Sequence, residues 1–443
     1  MVYYISIVIK KEVIYVHHIL IKNLGPINEC SIDIDQFTFF TGAQASGKST
    51  IAKSIFFFRT VKDDIEDIII RRGNNLSANL SLYKTITNVL RNKFLQLFGS
   101  SRAMSNELFL QYNYDSDTYI SITLKMKKGD DYVSPNYVFL EFSNNIKVLI
   151  NKYTEIKELP LTGIFLLKGE LNCLFCDECE TIFIPAGRSL ITLLTAQLNY
   201  IFTIMDDEQR YSIDFCTQKY VERILKIRNT FNEGIVGFLE KKNTTGVSTL
   251  KNYASIRNCI KIVDKVLKGR YKYVSGEERL EIENGRYVKI NYTSSGQQES
   301  VWIFNILLYQ LINNTKTFII LEEPEAHLYP NAQKDIIDLL SIFINCGNSL
   351  LLTTHSPYIL GAANNLLLAD SVQKNIRDKN KITEIVSEEK IIHSCSAYFV
   401  SDGKIDSCFD ITNNLIKNEV IEGASNEIND ISDRLIELEN EET

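Results

Sequence analysis

The chain has 443 residues and a mass of 50.8 kDa. At ~150 residues per domain that allows about three domains, or one large α/β unit with smaller additions. Its 48 Lys plus Arg against 55 Asp plus Glu leave a net charge of −7. That excludes a wholly basic, histone-like nucleic-acid binder but permits a local basic groove.

No apolar run approaches the ~18 residues of a membrane span, and Met1 to Lys10 does not read as a signal peptide. A cytoplasmic protein without a membrane partner is expected. Short strands are expected over Glu12–Ile21, Cys30–Ile34 and Phe37–Thr41, rich in β-branched and aromatic residues and punctuated by Gly25-Pro26.

The third strand runs into Gly42-Ala-Gln44-Ala-Ser46-Gly47-Lys48-Ser49-Thr50, a full GxxxxGK[ST] phosphate loop. Glycines let backbone N–H groups turn inward to cradle phosphate oxygens. Lys48 then reaches the terminal phosphates and the Ser49 hydroxyl ligates Mg²⁺. A helix should start near Lys48. Residues 60 to 100 read as helical, with a breaker at Gly73-Asn74-Asn75.

From Leu108 to Ile150 the pattern has period two, which predicts strands at Tyr119–Leu124, Tyr137–Phe142 and Ile146–Ile150. Cys173, Cys176 and Cys179 follow, evenly spaced within a nine-cysteine chain. They read either as a turn with incidental thiols or as part of a structural metal site. The metal reading needs a fourth ligand, for which Cys216 and His393 are candidates through folding alone. Ile182–Pro185 is a further short strand, with Pro185-Ala186-Gly187-Arg188 as the turn after it.

Helices are expected to dominate from there to Gly269. The clearest is Leu250–Lys268, with Tyr253, Ile256, Ile260, Val263 and Leu267 on one apolar stripe and Gly269 as C-cap. Arg257, Lys261 and Lys265 form a row beside that stripe. The row is either a solvated face or a positive ridge for phosphate backbone or an acidic partner.

Ser294-Ser295-Gly296-Gln297-Gln298 opens another helix, from Glu299 onward, and a Ser-Gly pair at a helix N-terminus suits an anion. Thr317–Leu321 is a near-continuous apolar run, as a buried parallel strand requires. It ends in Glu322-Glu323-Pro324, which puts two carboxylates at the C-terminal rim of the sheet. Adjacent residues of an extended chain point apart. Glu322 is therefore assigned to Mg²⁺ through water, and Glu323 to the attacking water. A helix over Asn331–Ile344 leads to a second apolar strand, Ser349–Thr353, and so to a βαβ unit. His355 follows it, placed to donate to the terminal phosphate or to the water. In the acidic tail, Leu415 and Ile416 and then Ile428, Ile431, Leu435 and Leu438 suggest docked or partner-facing helices.

Taken in order, these elements resemble the ATP-binding-cassette ATPases, and more narrowly the soluble branch of RecF, SMC heads and the overcoming-lysogenization-defect (OLD) ATPases. The Gly42–Ser49 loop resembles Walker A. Phe318–Glu323 resembles Walker B with the catalytic glutamate at Glu323. Ser294–Gln298 resembles the signature motif, and His355 the switch histidine. Glu322 to Pro330, Ile27-Asn-Glu-Cys30 and Phe183 to Arg188 are closest to the OLD-type branch. Two departures stand out: Glu322 where Asp is usual, and Gln297 where the signature has glycine. The Q-loop glutamine is not placed, with Gln111 and Gln197 as candidates.

The resemblance implies an α/β P-loop NTPase of ATP-binding-cassette type, with mixed central sheets and an inserted helical subdomain. The expected division is 1–185 as the first part of the head, 186–285 as helical insertion, 286–405 as the second part, and 406–443 as an acidic tail. ATP and Mg²⁺ are the implied cofactors. The implied chemistry is ATP hydrolysis by Glu323, His355 and Lys48, with nucleotide held by Gly42, Gln44, Ser46, Gly47, Lys48, Ser49, Thr50, Ser295 and Gly296, and metal by Ser49 and Glu322. Ser295 and Gly296 would act across a head-to-tail homodimer or higher homo-oligomer. No Asp-x-Asp pair follows His355, so the Toprim nuclease of many OLD proteins is not expected. In size and motifs the chain is similar to ATPase subunits of anti-phage systems such as Septu and PARIS, which implies a separately encoded nuclease or toxin effector. A RecF-like ATPase on duplex DNA and a slowly hydrolysing, nucleotide-gated scaffold are the alternatives.

Overall fold

The computed structural model describes residues 16–73, 81–128, 133–156, 159–193, 213–245, 252–376, 380–417, 429–431 and 433–434. Strands β1 (His17–Leu24) and β2 (Ile27–Ile34) pair antiparallel, and β3 (Phe37–Thr41) then leaves them for a different sheet. Helices α1 (Lys48–Arg59), α2 (Val61–Gly73) and α3 (Leu82–Phe98) follow, separated near the breaker read from Gly73. Strands β4 (Phe109–Asn113), β5 (Tyr119–Lys128) and β6 (Val133–Phe142) complete an antiparallel sheet of order β2-β1-β4-β5-β6.

The segment Ile146–Ile150, expected to be a strand, lies inside helix α4 (Asn144–Thr154). Its buried residues are Ile146, Leu149, Ile150 and Tyr153. That spacing makes one helical stripe, which a five-residue window cannot tell from alternation. Helix α5 (Leu161–Leu174) and strand β7 (Glu180–Ile184) come next.

Beyond β7, helices Phe215–Ile227, Gly234–Thr245 and Tyr253–Leu267 lead into a small antiparallel sheet of β8 (Arg270–Val274), β9 (Glu277–Glu281) and β10 (Tyr287–Lys289). The long helix Ser295–Asn313, β11 (Thr317–Glu322), helix Pro330–Asn345, β12 (Ser349–Thr353) and helix Pro357–Asn375 form the next run. Strands β13 (Ser396–Ser401) and β14 (Lys404–Ser407) follow. Leu415 and Ile416 form strand β16, paired with β15 (Phe409–Asp410), rather than the helix expected of them. Ile428, Leu435 and Leu438 lie outside the described residues.

The central sheet has order β14-β13-β3-β12-β11-β7, and all but β14 run parallel. Both of its faces are covered, which explains the unbroken apolar runs. Phe37, Phe39, Ile319, Leu321, Leu350 and Leu352 point into one core with the helices of 215–375. Phe40, Phe318, Ile320 and Leu351 point into the other, filled by α1 to α5 and the antiparallel sheet. The mixed α/β class with several sheets is as expected, and the helices of 215–267 share their core with the parallel sheet. Among the described residues, no helix is long and apolar enough to cross a membrane.

Candidate functional site

Parallel register brings the site together. Strands β3, β12 and β11 are adjacent, so the residues after each emerge at one rim. Glu322 lies opposite Thr353, the Glu323 N–H donates to the Thr353 carbonyl at 2.9 Å, and the Thr354 N–H donates to the Phe40 carbonyl at 2.9 Å.

After β3 the chain turns through Gly42 and enters α1 at Gly47, whose φ is 109°. A Cβ at Gly47 would stand 2.3 Å from Ile27 Cδ1, so both the left-handed backbone and the space require glycine. No side chain caps α1, which leaves the first-turn N–H groups directed at the loop. Lys48 is buried, and its ammonium donates to the carbonyls of Gly42 (3.0 Å) and Ala43 (2.8 Å) and to Ser46 Oγ (3.3 Å). Burial lowers its pKa, against the pull of Glu323, Glu325 and Glu322. Gln44 and Ser49 are exposed and Thr50 is half-buried. A cleft of about 590 Å³ opens beside Ser49, Thr50 and Lys53, walled by Asn23, Gly25 and Asn28.

Glu322 is buried, and burial raises its carboxyl above the ordinary range, opposed by the Ser49 hydroxyl and the Ala186 N–H. The Ala186 bond to Oε2 is 3.3 Å, while Oε1 is buried without a hydrogen-bond partner. An orphaned oxygen on a carboxylate that also meets a serine hydroxyl makes a hard-oxygen donor set, and it fits Mg²⁺. Glu323 stands half-exposed with φ 42°, and its Oε1 is 3.5 Å from His355 Nε2. Glu325 secures the histidine from behind, accepting from Thr354 Oγ1 at 2.7 Å and from the His355 N–H at 2.8 Å.

The helix expected from Glu299 starts four residues earlier, at Ser295, because Ser294 and Gln297 form a capping box. Ser295 is exposed and Gly296 is buried, its missing Cβ leaving room for the His327 carbonyl, which a Cβ would meet at 2.7 Å. Gln297 donates to the Leu267 carbonyl at 2.7 Å, tying this helix to Tyr253–Leu267.

The motifs did not assign Arg188. It is fully buried, and its guanidinium reaches the carbonyls of Pro185 (2.6 Å), Glu322 (2.6 Å), Glu323 (2.8 Å) and Glu299 (3.0 Å). The Glu299 carboxylate in turn accepts the N–H groups of Arg188 (3.0 Å) and Ser189 (2.9 Å). The turn Pro185-Ala186-Gly187-Arg188 directly after a parallel strand was the available signal, and for Glu325 the stretch Glu322 to Pro330; Glu299 left none.

Other candidates fall elsewhere. Gln111 donates to Asn113 on β4, and Gln197 lies outside the described residues. Cys173 is exposed, Cys176 Sγ lies 3.6 Å from Asp115 Oδ2, and Cys216 sits in the core. His393 is engaged by Asp370 at 2.8 Å. No cluster of three or more metal-ligating side chains occurs among the described residues. In the basic row, Lys265 pairs with Asp335 at 2.7 Å, Arg257 stacks over Tyr253, and Lys261 bonds Asn258.

Residues 15–360 match the AAA ATPase domain family, and the chain belongs to it. The central sheet and phosphate loop make it a P-loop NTPase in fold. Among solved structures it is similar to the Smc head domain with an extended coiled coil, bound to the C-terminal domain of ScpA, from Pyrococcus furiosus. That match has 15% identity and a TM-score of 0.38, covering 94% of this chain and 99% of that one. The SMC head domain from Thermotoga maritima is similar at 11% identity and a TM-score of 0.35, covering 89% and 98%. No curated protein matches the chain.

Proposed function

We propose that this protein is a Mg²⁺-dependent ATPase whose ATP-driven association switches a separately encoded effector, a nuclease or toxin, in anti-phage defence. The observation that carries the ATPase reading is the meeting of Glu323 and His355, 3.5 Å apart, at the rim that also bears the Lys48 loop. The triphosphate lies along the first-turn N–H groups of α1, with Lys48 exchanging its loop carbonyls for phosphate oxygens. Ser49 and Glu322 hold the metal, which when bound neutralises charge on the phosphates. Glu323 takes the proton of the attacking water, and His355 orients that carboxylate and donates to the transferred phosphoryl group.

Association of two copies is supported by what surrounds the rim. Tyr292 and Tyr329 are 79% and 75% exposed, Tyr358 and Leu190 are exposed too, and each lies close in sequence to a site motif. Exposed aromatic side chains around a polar centre suit a protein interface. Ser295 and Gly296, at an exposed helix start, would close on nucleotide held by the second copy. The effector role rests on the likeness, in size and motifs, to Septu- and PARIS-type ATPases.

Glu323→Gln tests the site. Phosphate release should fall ~100-fold or more while ATP affinity stays near wild type, as expected for loss of a general base. The variant with ATP should be dimeric by light scattering at micromolar concentration. Release equal to wild type removes Glu323 as the base, and a monomer in ATP removes the association step. A nuclease or toxin co-purifying with the native protein supports the defence role; stoichiometric DNA alone opposes it.

A further inference from the structure

We propose that Arg188 is a positioning residue for hydrolysis, clamping the backbone that carries Glu323 and tying it to the helix that begins at Ser295. This rests on the reading of Glu323 as the base.

Glu323 has φ 42°, a left-handed backbone that a non-glycine residue adopts only when its surroundings hold it there. Three contacts do so. The Glu323 N–H is held by the Thr353 carbonyl at 2.9 Å, and its carbonyl accepts from Arg188 Nη2 at 2.8 Å and from the Ala326 N–H at 3.2 Å, the last closing a local turn. Nη1 of the same guanidinium holds the carbonyl of Glu322 at 2.6 Å. One planar group therefore holds the peptides on both sides of Glu323. The strand ends at Glu322, so Glu323 is not in the extended conformation expected of it, and the turn directs Glu322 to Ser49 and Glu323 to His355.

The other side of the guanidinium belongs to the helix Ser295–Asn313. Nε donates to the Glu299 carbonyl at 3.0 Å and lies 3.2 Å from its Oε2. Thr192 adds a bond from the same short segment to the Gln298 carbonyl, at 2.9 Å. Both Arg188 and Glu299 are buried, at 0% and 2% exposure, so neither ion exchanges its partner for water. A displacement of the first helical turn, where Ser295 and Gly296 would grip the second copy's nucleotide, is thus passed to the carbonyls of Glu322 and Glu323. Lysine cannot replace this connection, because a single ammonium lacks the planar fork that reaches four carbonyls at once.

The test compares Arg188→Lys and the double variant Arg188→Gln/Glu299→Gln, which removes both buried charges together, with wild type and Glu323→Gln. Thermal unfolding, ATP affinity, KM and kcat are measured on each. A misplaced base should lower kcat by about 10- to 100-fold, with KM and ATP affinity within about twofold. The proposal is overturned if either folded variant keeps kcat within about twofold of wild type, or if kcat and ATP affinity fall together. Glu323→Gln separates the two failures. If it is inactive while the Arg188 variants are not, only the clamp is wrong; if it is active, the assignment of the base falls and the clamp with it.

Discussion

The two ends of the parallel sheet each carry a buried arginine, and the contrast shows what buried charge is for in this molecule. At the C-terminal rim Arg188 spends its donors on backbone carbonyls beside the half-exposed Glu323. At the opposite edge, Arg59 ends α1 and pairs with Asp177, just before β7, at 2.8 Å. Lys62 lies 3.7 Å from the same carboxylate, and Nδ1 of His17, at the start of β1, accepts from Arg59 Nη1 at 3.1 Å and lies 2.9 Å from Tyr112 Oη. That second cluster is closed, built from β1, α1, α2 and β4, and it joins the antiparallel sheet to the parallel one. Substitution at the rim should therefore change turnover, and substitution at the opposite edge should change stability.

The largest separation is expected from Lys48→Ala. Removing the ammonium should weaken ATP binding by ~100-fold or more, since a desolvated charge pairing with phosphate is lost. Thermal unfolding without nucleotide should barely move. ATP affinity near wild type in calorimetry would break the assignment of the phosphate loop.

Asp177→Ala is the converse. It leaves Arg59 and Lys62 buried without their carboxylate, which costs about 3–5 kcal/mol. Burial alone would raise the Asp177 carboxyl, but Arg59, Lys62 and His17 hold it below the ordinary range, so the ion pair is what the fold relies on. Urea unfolding should show the loss, while turnover per folded molecule stays unchanged. A selective drop in kcat without destabilisation would erase the contrast between the two ends.

The same edge sets an acid limit. Burial first, and the Arg59 guanidinium second, lower His17 from 6.5 to about 4. The unfolded chain therefore takes up this proton before the folded one does. Stability is full above pH 6.5 and is lost as the pH falls towards 4, by about 3 kcal/mol at most, at 1.36 kcal/mol per pKa unit. His17→Gln should flatten that slope. An unchanged slope would show that other groups govern the acid limit.

How much of this was legible depends on sequence distance. The phosphate loop, β11 with its terminal acids and β12 could be read locally, because a fully buried strand must be apolar along its whole length and the acids mark where it stops. Tyr253–Leu267 was equally clear from its stripe, although the C-cap is Lys268, with φ 49°, and not Gly269. Ile146–Ile150 misled because its β-branched residues favour strand while the buried spacing that decides for helix extends to Tyr153. Arg188 was opaque for another reason. Pro185 is local, but its partners at 299, 322 and 323 lie more than a hundred residues away, so the turn marks the place without announcing those three carbonyls. The row of Arg257, Lys261 and Lys265, read as either a solvated face or a positive ridge, likewise has a distant partner, Asp335, which pairs with the exposed Lys265.

The smallest effect tests whether the helix start at Ser295 belongs to the rim or only to the core. Ser294 Oγ accepts the Gln297 N–H at 3.4 Å, a long bond, while Gln297 Oε1 accepts the Ser294 N–H at 2.9 Å. Ser294→Ala should accordingly cost at the lower end of the range for N-caps, about 0.5–1 kcal/mol. Gln297 would still hold the Leu267 carbonyl, so the helix body stays docked and only its first turn loosens. If Ser295 and Gly296 close on a second copy's nucleotide, that loosening should weaken ATP-dependent association several-fold in sedimentation while ATP affinity of the monomer is unaffected. Association that survives unchanged would place the capping box with the opposite edge of the sheet, as a device for stability alone.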